Sequence, residues 1–288
     1  MKIGITGASG KLGELVVAKL KQRIPSEAIV ALVRTPEKVK ALDIEARAFD
    51  YNQPTQLAGA LKGIDTLLLI SGNEIGKRYA QHAAVINAAK AAGVQRIVYT
   101  SLLKGDSSTL VLAPEHLGTE KAIKESGLNY TILRNGWYNE NYTESVKSTV
   151  TLGTLYGSSG IGKISSASRE DFAEAAAVVL SEEGHTNKIY ELSGDLSFTM
   201  EDYATEISKI AGKEIPYVNL SEGEFAKALE QAGLPQPVAA FYAGTHTATL
   251  NGDLYDEGNE LSQLIGRPTT TIAQSLARAL YNQNYSAN

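Results

Sequence analysis

The sequence predicts an α/β protein with a doubly wound parallel β-sheet and a smaller, mostly helical C-terminal lobe. Short, apolar, β-branched segments alternate with segments of helical periodicity through the first half of the chain. The first of these strands breaks into a glycine-rich turn that opens directly into a helix. Beyond Thr143 the alternation loosens. We therefore assign residues 1–143 to the sheet domain and residues 144–288 to a substrate lobe interleaved with it.

The first strand and helix enclose a dinucleotide-binding motif typical of the Rossmann fold. Residues 2–6 read as a buried strand, residues 7–13 (GASGKLG) follow at once, and apolar residues then repeat at helical spacing. Gly7 permits the tight turn, Gly10 lets a pyrophosphate approach the backbone, and Gly13 lets the helix pack close to the strand. The helix N-terminus then offers N–H groups to the phosphates. The predicted cofactor contacts of this loop are Gly7, Ala8, Ser9, Gly10, Lys11 and Leu12.

The end of the second strand, residues 28–33, indicates which dinucleotide is bound. An NAD-binding site usually places Asp or Glu there to accept hydrogen bonds from the ribose hydroxyls. This chain has Arg34, with Lys38 one turn later. A guanidinium can pair with a 2′-phosphate in a bidentate manner, so NADPH is favoured as the cofactor. The alternative is a solvated arginine at the end of a strand.

The next elements carry two further candidate cofactor positions. A short helix is predicted over residues 36–42 and a third strand over 46–49, followed by Tyr51, which either meets the adenine edge or belongs to a plain turn. Residues 66–70 are apolar throughout, as in a central parallel strand buried on both faces. Ser71 and Asn73 follow that strand at the edge where open α/β sheets bind ligands.

The remaining elements complete the sheet and begin the second lobe. Helices are predicted over residues 83–92 and 114–126, and strands over 96–99 and 130–134. In the second half, short strands are predicted at 155–157, 162–164 and 189–192, an extended segment at 215–219, and a helix at 171–181. Thr199 and Ser221 read as the N-caps of two more helices.

Composition excludes several classes of function. The net charge of −5 argues against a nucleic-acid partner, and no apolar run reaches the roughly 20 residues of a membrane span. The absence of cysteine excludes disulfides and a cysteine nucleophile, and it is consistent with a cytoplasmic protein. The four histidines are scattered without the spacing of metal ligands, so no metal site is expected.

Together these residues resemble the NmrA-like atypical short-chain dehydrogenases, and within that family the bacterial quinone reductases. The resemblance rests on the glycine turn, Arg34 and residues 99–101 (YTS) and 130–137 (YTILRNGW). It extends through residues 85–94, 188–192 and 264–271, and so covers nearly the whole chain. The resemblance implies that the chain reduces quinones by hydride transfer from NADPH. One alternative within the family is an NADP(H)-binding redox sensor without catalysis. Another is the reduction of a different small planar or conjugated acceptor, such as an enone or a flavonoid.

The resemblance also implies a second group of site residues. Members of the wider family place a Tyr-x-x-x-Lys pair after the fifth strand, but this chain has Leu112 and His116 at those positions, so the usual proton donor is missing. Asn141 is the first candidate for holding a quinone oxygen, Tyr138 could form a flat wall, and His116 could donate a proton. The segment after the sixth strand is expected to contact NADPH through Gly136, Trp137, Tyr138, Asn139, Glu140 and Asn141. A homodimer is a further expectation.

Overall fold

The computed structural model of the protein describes residues 1–281. Its strands are β1 (Ile3–Thr6), β2 (Ile29–Val33), β3 (Glu45–Ala48), β4 (Thr66–Leu69), β5 (Arg96–Leu102), β6 (Asn129–Asn135), β7 (Leu155–Gly157), β8 (Lys188–Leu192) and β9 (Tyr217–Asn219). Its helices are α1 (Lys11–Leu20), α2 (Pro54–Ala60), α3 (Arg78–Ala91), α4 (Ala113–Glu125), α5 (Glu140–Thr143), α6 (Val146–Leu152), α7 (Arg169–Ser181), α8 (Met200–Ala211), α9 (Glu222–Gln231), α10 (Gln236–Leu250), α11 (Glu260–Ile265) and α12 (Ile272–Tyr281).

Seven strands form one sheet in the order β3-β2-β1-β4-β5-β6-β8, and every pair in it is parallel. The chain runs outward from β1 to β3, returns to β4 beside β1, and then continues to the opposite edge. The order reverses between β1 and β4, and the cleft at such a point is where open α/β sheets bind ligands. The predicted doubly wound parallel sheet is confirmed.

The helices cover both faces of this sheet because its strands are apolar on both sides. Helices α2, α3 and α4 pack in series on one face, and α1 packs against α7. Alternate residues of the inner strands, such as Leu67, Leu69, Ile97 and Tyr99, join the core beneath α2–α4. The four residues of β1 and of β4 are all buried, which explains why those segments are continuously apolar.

The chain forms two compact units, each built from separate stretches of sequence. Unit 1 comprises Met1–Asp106, Leu112–Asn135 and Arg169–Leu192, and it holds the seven-stranded sheet. Unit 2 comprises Ser107–Val111, Gly136–Ser168 and, among the described residues, 193–281. It holds the remaining helices and a two-stranded parallel sheet of β7 and β9. Unit 1 includes α7 and β8, which lie beyond the predicted boundary at residue 143, and the assignment of a substrate lobe stays a prediction.

Some predicted elements differ in detail. The strand predicted over residues 162–164 is wrong: Ile164 makes only an isolated bridge to Phe198, because the Gly162 N–H turns back to the Ser159 carbonyl at 2.8 Å. The predicted helix over residues 36–42 is a 3₁₀ helix. Both predicted N-caps are confirmed, since Thr199 and Ser221 begin α8 and α9 in complete capping boxes. None of the helices within residues 1–281 is long and apolar enough to span a membrane.

Candidate cofactor-binding site

The glycine turn between β1 and α1 has the backbone geometry that its sequence requires. Gly7 has φ +60°, which favours glycine, and its N–H donates to the Leu32 carbonyl of β2 at 3.1 Å. A Cβ at Gly13 would overlap the Gly7 carbonyl oxygen and lie 2.7 Å from Ala8 Cα. Gly13 therefore lets α1 approach the end of β1 more closely than any other residue would allow.

Gly10 is the N-cap of α1, and no side chain caps this helix. The first-turn N–H groups of a helix have no acceptor inside it, so they and the helix dipole favour a bound anion. A Cβ at Gly10 would lie 3.2 Å from the Gly7 carbonyl oxygen, and Gly10 itself is exposed. A larger side chain here would project from the N-terminus of the helix, where such an anion binds. The glycine turn and these N–H groups form a cradle that fits the pyrophosphate of a dinucleotide.

Arg34 lies where the sequence analysis expects a phosphate-binding residue. It follows β2 directly, and its side chain is exposed, as is that of Lys38. Within residues 1–281 the Arg34 guanidinium makes neither a hydrogen bond nor a salt bridge. Since no carboxylate neutralises it, the guanidinium is available to a phosphate, and the residues present therefore fit NADPH.

The end of β4 is held by hydroxyl groups from its two neighbouring strands. The Ile70 N–H donates to Thr6 Oγ1 of β1 at 3.0 Å, and the Ser71 N–H donates to Thr100 Oγ1 of β5 at 2.9 Å. The backbone of this loop is therefore fixed at the point where the strand order reverses. Ser71 is half-buried and Asn73 is exposed at this edge. Their contact with the cofactor stays a prediction.

The next loop residue, Gly72, is held by two side chains of α3. The Gly72 N–H donates to His82 Nε2 at 2.9 Å, and Arg78 Nε donates to the Gly72 carbonyl at 2.7 Å. His82 Nε2 is therefore the acceptor nitrogen, and Nδ1 carries the proton that points to Thr119 Oγ1 at 3.1 Å. Burial, together with the Arg78 charge, lowers the pKa of His82 to about 3. His82 is thus a neutral clamp at physiological pH.

The hydroxyl of Tyr51 is held by hydrogen bonds within the sheet domain. It donates to Thr6 Oγ1 at 2.6 Å and lies 3.1 Å from the Ile70 carbonyl oxygen. Burial raises the pKa of this phenol, so it stays protonated. This environment favours a structural role, because the hydroxyl joins the ends of β1 and β4. A contact of Tyr51 with the cofactor stays a prediction.

His116 lies on α4 with its ring buried, and its Nδ1 is 2.7 Å from the Tyr99 hydroxyl. Burial, with a smaller contribution from the charge of Arg78, lowers the pKa of His116 to about 3. The ring is therefore neutral at physiological pH. This environment favours a structural role over the predicted role of proton donor. Leu112, the other position of the missing pair, is the N-cap of α4.

The loop after β6 belongs to unit 2 and is organised around Asn139. Asn139 Nδ2 donates to the Thr270 carbonyl and to Ser275 Oγ, both at 2.9 Å. Its Oδ1 accepts from Ser166 Oγ at 2.6 Å, and its N–H donates to the Ala167 carbonyl at 2.8 Å. These contacts use every hydrogen-bonding group of the buried side chain. This environment favours a structural role for Asn139, and its contact with the cofactor stays a prediction.

The other predicted residues of this loop differ in exposure. Gly136 is buried, Trp137, Tyr138 and Glu140 are half-buried, and Asn141 is exposed in the short helix α5. The Asn141 N–H donates to the Tyr138 carbonyl at 3.0 Å. The loop is thus held in place by the buried Asn139, whereas Asn141 is exposed to solvent. Among residues 1–281, no three His, Asp or Glu side chains lie close enough together to hold a metal ion.

Sequence reasoning missed the residues that fix the loop after β4, namely Thr6, Arg78, His82 and Thr100. Thr6 and Thr100 each lie on a strand next to β4 in the sheet, so their role follows from strand order rather than from spacing. Knowledge of the order β1-β4-β5 would have identified them. No sequence signal identifies His82.

Comparisons with known proteins agree with NADPH as the cofactor. Residues 7–183 match the family described as NAD(P)H-binding. Quinone oxidoreductase 2 of Escherichia coli (strain K12) is 49% identical over 285 residues, which are 98% of this chain and 99% of that protein. The crystal structure of an NADPH-dependent quinone oxidoreductase from Escherichia coli, complexed with NADPH, has a TM-score of 0.94 at 49% identity and covers 96% of this chain and 99% of its own.

A second solved structure extends the family to another acceptor. The triphenylmethane reductase of Citrobacter sp., complexed with NADP(H), has a TM-score of 0.94 at 36% identity. The match covers 97% of this chain and 100% of the reductase chain. The resemblance stated from the sequence is therefore confirmed. This chain belongs to the NmrA-like, NAD(P)H-binding family of oxidoreductases.

Proposed function

We propose that this protein reduces quinones with NADPH as the hydride donor. The observation that carries the proposal is the 49% identity to Quinone oxidoreductase 2 over almost the whole of both chains. The geometry of unit 1 supports it, because the uncapped N-terminus of α1 and the glycine turn form a cradle for a pyrophosphate. Arg34 adds a free guanidinium for the 2′-phosphate.

The loop after β4 supplies a rigid surface beside the cofactor cradle. The backbone groups of residues 70–72 form hydrogen bonds with the side chains of Thr6, Thr100, His82 and Arg78, so the loop keeps its shape when the cofactor binds. Preorganisation of this kind lowers the entropic cost of binding and orients the reactants. Bound NADPH supplies the hydride.

The acceptor is inferred from what the site lacks. A simple ketone needs an acid to protonate the oxygen that becomes an alkoxide, and Leu112 and His116 replace the pair that does this in related enzymes. Neither a leucine nor a histidine with a pKa of about 3 can donate a proton at neutral pH. A quinone needs no such acid, because resonance stabilises the oxyanion that forms and water can protonate it.

We infer that Asn141 holds a quinone oxygen and that Tyr138 lines the acceptor. Asn141 is exposed at the first turn of α5, where its amide N–H₂ can act as an oxyanion-hole donor. The half-buried Tyr138 would offer a flat wall to a planar ring. Both roles rest on the family resemblance. The contacts of Gly136, Trp137 and Glu140 with NADPH rest on it as well.

The test is NADPH oxidation with and without benzoquinone, repeated with NADH. We expect quinone to accelerate NADPH oxidation strongly, with a lower KM for NADPH than for NADH. The variant Gly10→Val serves as the control that cannot bind cofactor. If the wild type binds NADPH but quinones do not accelerate its oxidation, the protein is an NADP(H)-binding redox sensor and the enzymatic proposal fails.

Two further proposals concern the setting of the enzyme. We infer a cytoplasmic location, because the sequence contains no cysteine and so lacks the disulfides that are typical of proteins in oxidising compartments. Fractionation of the native host tests this. We also infer a homodimer. Sedimentation equilibrium tests this, since a monomer would give a mass of 30.7 kDa and a dimer twice that mass.

A further inference from the structure

One side of the loop after β4 is fixed by side chains of α3. The Gly72 N–H donates to His82 Nε2 at 2.9 Å, and the Gly72 carbonyl accepts from Arg78 Nε at 2.7 Å. A Cβ on Gly72 would lie 3.3 Å from Gln81 Oε1, so α3 also fills the space on that side. The loop remains accessible elsewhere, since Gly72 is only half-buried and Asn73 is exposed. A backbone that is held from one side and accessible from the other presents a fixed surface to a ligand.

The His82 ring accepts from Gly72 in only one of its two neutral tautomers. The ring is fully buried, and burial together with the Arg78 charge lowers its pKa to about 3, so it carries a single proton at physiological pH. Because Nε2 accepts the Gly72 N–H, that proton is on Nδ1. Nδ1 lies 3.1 Å from Thr119 Oγ1 of α4, and the Thr119 hydroxyl itself donates to the Glu115 carbonyl at 2.8 Å. The threonine oxygen is therefore the acceptor for the Nδ1 proton.

Thr119 thus supports the loop through the His82 ring. A buried N–H without an acceptor costs free energy. If the threonine hydroxyl were absent, that cost would fall on every ring orientation that accepts from Gly72, and other arrangements of the ring and the loop would become populated. A ligand that binds only the clamped loop then has a higher apparent Kd, in inverse proportion to the fraction of molecules that hold the clamped shape.

The strand order puts this loop beside the proposed cofactor. Strand β4 is the neighbour of β1 in the sheet, and the pyrophosphate cradle follows β1. The strand order reverses between these two strands, and open α/β sheets bind ligands outside the carboxyl ends of the strands at such a point. The loop after β4 therefore belongs to the wall of the cleft that a dinucleotide enters.

We propose that Thr119 and His82 are positioning residues for NADPH, because together they hold the loop after β4 in the shape that the cofactor binds. The inference rests on the proposed function in taking NADPH as the cofactor. Both side chains are fully buried, so they act through Gly72 and not by contact with the cofactor. Their loss should weaken NADPH and NADH binding by the same factor, since Arg34 follows β2, on the other side of β1.

The first test compares Thr119→Val with Thr119→Ser. Valine has the shape of threonine without the hydroxyl, whereas serine keeps the hydroxyl. The Glu115 carbonyl keeps its helical N–H partner in either variant. We expect Thr119→Val to raise the Kd for NADPH and for NADH about tenfold, as follows if about one tenth of the molecules hold the clamped loop. Thr119→Ser should bind both cofactors as tightly as wild type.

Stopped-flow binding separates a positioning role from a loss of packing. If the loop must be clamped before the cofactor binds, Thr119→Val should lower the association rate constant about tenfold and leave the dissociation rate constant unchanged. A valine that only weakened the packing of α4 would lower Tm and leave both rate constants as they are in wild type.

A second pair of variants tests the two nitrogens of His82 separately. The amide of His82→Gln reaches as far along the side chain as Nε2 and can accept from Gly72, whereas the shorter amide of His82→Asn reaches only the position of Nδ1. His82→Gln should therefore bind NADPH more tightly than His82→Asn, although both variants lose the stability that the ring supplies. This pair decides the matter if Thr119→Val does not fold.

His185→Asn is the matched control for the histidine variants. His185 is half-buried and precedes β8, so it lies at the amino edge of the sheet, and its Nδ1 is 2.7 Å from the Tyr190 hydroxyl. The substitution removes a hydrogen-bonded imidazole from the edge opposite the cofactor cleft. It should leave the Kd for NADPH unchanged.

Any of three results overturns the proposal. The first is binding of both cofactors by folded Thr119→Val as tightly as by wild type. The second is a loss of affinity in Thr119→Val that comes from faster dissociation alone. The third is binding of NADPH by His82→Asn as tightly as by His82→Gln. None of these readouts depends on quinone turnover, so a protein that binds NADPH but reduces no quinone would refute the proposed function and leave this inference standing.

Discussion

Replacing Arg34 by alanine should weaken NADPH binding and leave NADH binding nearly unchanged. The side chain is exposed and has no partner among residues 1–281, so its removal leaves no buried group unsatisfied. We therefore expect the free energy of unfolding of the apoprotein to change by no more than about 0.5 kcal/mol. The whole effect should fall on the complex with NADPH.

The magnitude follows from the contact that is lost. A hydrogen bond to a charged group contributes about 1.5–3 kcal/mol, and each 1.4 kcal/mol is about a factor of ten in affinity. Arg34→Ala should therefore raise the Kd for NADPH by roughly 10- to 150-fold. Because the guanidinium is exposed, salt screens its attraction to the phosphate, and the loss should lie in the lower part of that range at physiological ionic strength.

Isothermal titration of the apoprotein with NADPH and NADH, at low and moderate salt, measures these quantities. Lys62→Ala is a matched control, since it removes one exposed positive charge after α2, away from the end of β2. It should reduce the affinity for either cofactor less than twofold. An equal loss for NADPH and NADH in Arg34→Ala would show that this residue does not bind the 2′-phosphate, and the reasoning from the end of β2 would then be refuted.

Three other variants test separate parts of the site. Gly10→Val should keep the far-ultraviolet circular dichroism of wild type but lose the NADPH-induced rise in Tm, because the side chain fills the pyrophosphate cradle; a normal rise would remove this turn from the site. Asn141→Ala should lower the kcat of quinone reduction by about one to three orders of magnitude and change the Kd for NADPH much less. An unchanged kcat would exclude Asn141 as an oxyanion donor. The pKa of His116 is about 3 in the folded protein, so its neutral form stabilises the fold fully above the unfolded value near 6.5, and that contribution is lost as the pH falls toward 3. In urea titrations, the unfolding free energy of His116→Asn should therefore fall less steeply than that of wild type between pH 6.5 and 4, by on the order of 1.4 kcal/mol per pH unit. The pH profile of turnover between pH 6 and 9 should be unchanged. An altered profile would show that His116 acts as a proton donor.

The glycine turn could be interpreted from sequence because its requirements are local. Gly7 needs a positive φ, and Gly13 needs the absence of a Cβ where α1 crosses the end of β1. Both constraints act between residues fewer than ten positions apart. The caps of α8 and α9, Thr199 and Ser221, were predicted for the same reason, since a capping box spans only four residues.

Two predicted site residues whose surroundings favour a structural role, Tyr51 and Asn139, have partners far away in the sequence. Tyr51 bonds to Thr6 across 45 positions, and Asn139 bonds to Thr270 across 131. A tyrosine after a strand and an asparagine in a loop are equally compatible with a ligand contact or an internal hydrogen bond. Which of the two contacts forms depends on the residues that the strand order and the long-range packing bring next to the side chain. Spacing along the chain does not indicate those residues.

The sequence by itself determined the parallel sheet and the class of the cofactor. These follow from hydrophobic period, from the backbone freedom of glycine and from the charge of Arg34, all of which are properties of short segments. Only the tertiary structure decided that His82 clamps Gly72 and that His116 is neutral. Burial and hydrogen-bond partnership are properties of the assembled sheet, because each arises where segments far apart in the chain exclude water together.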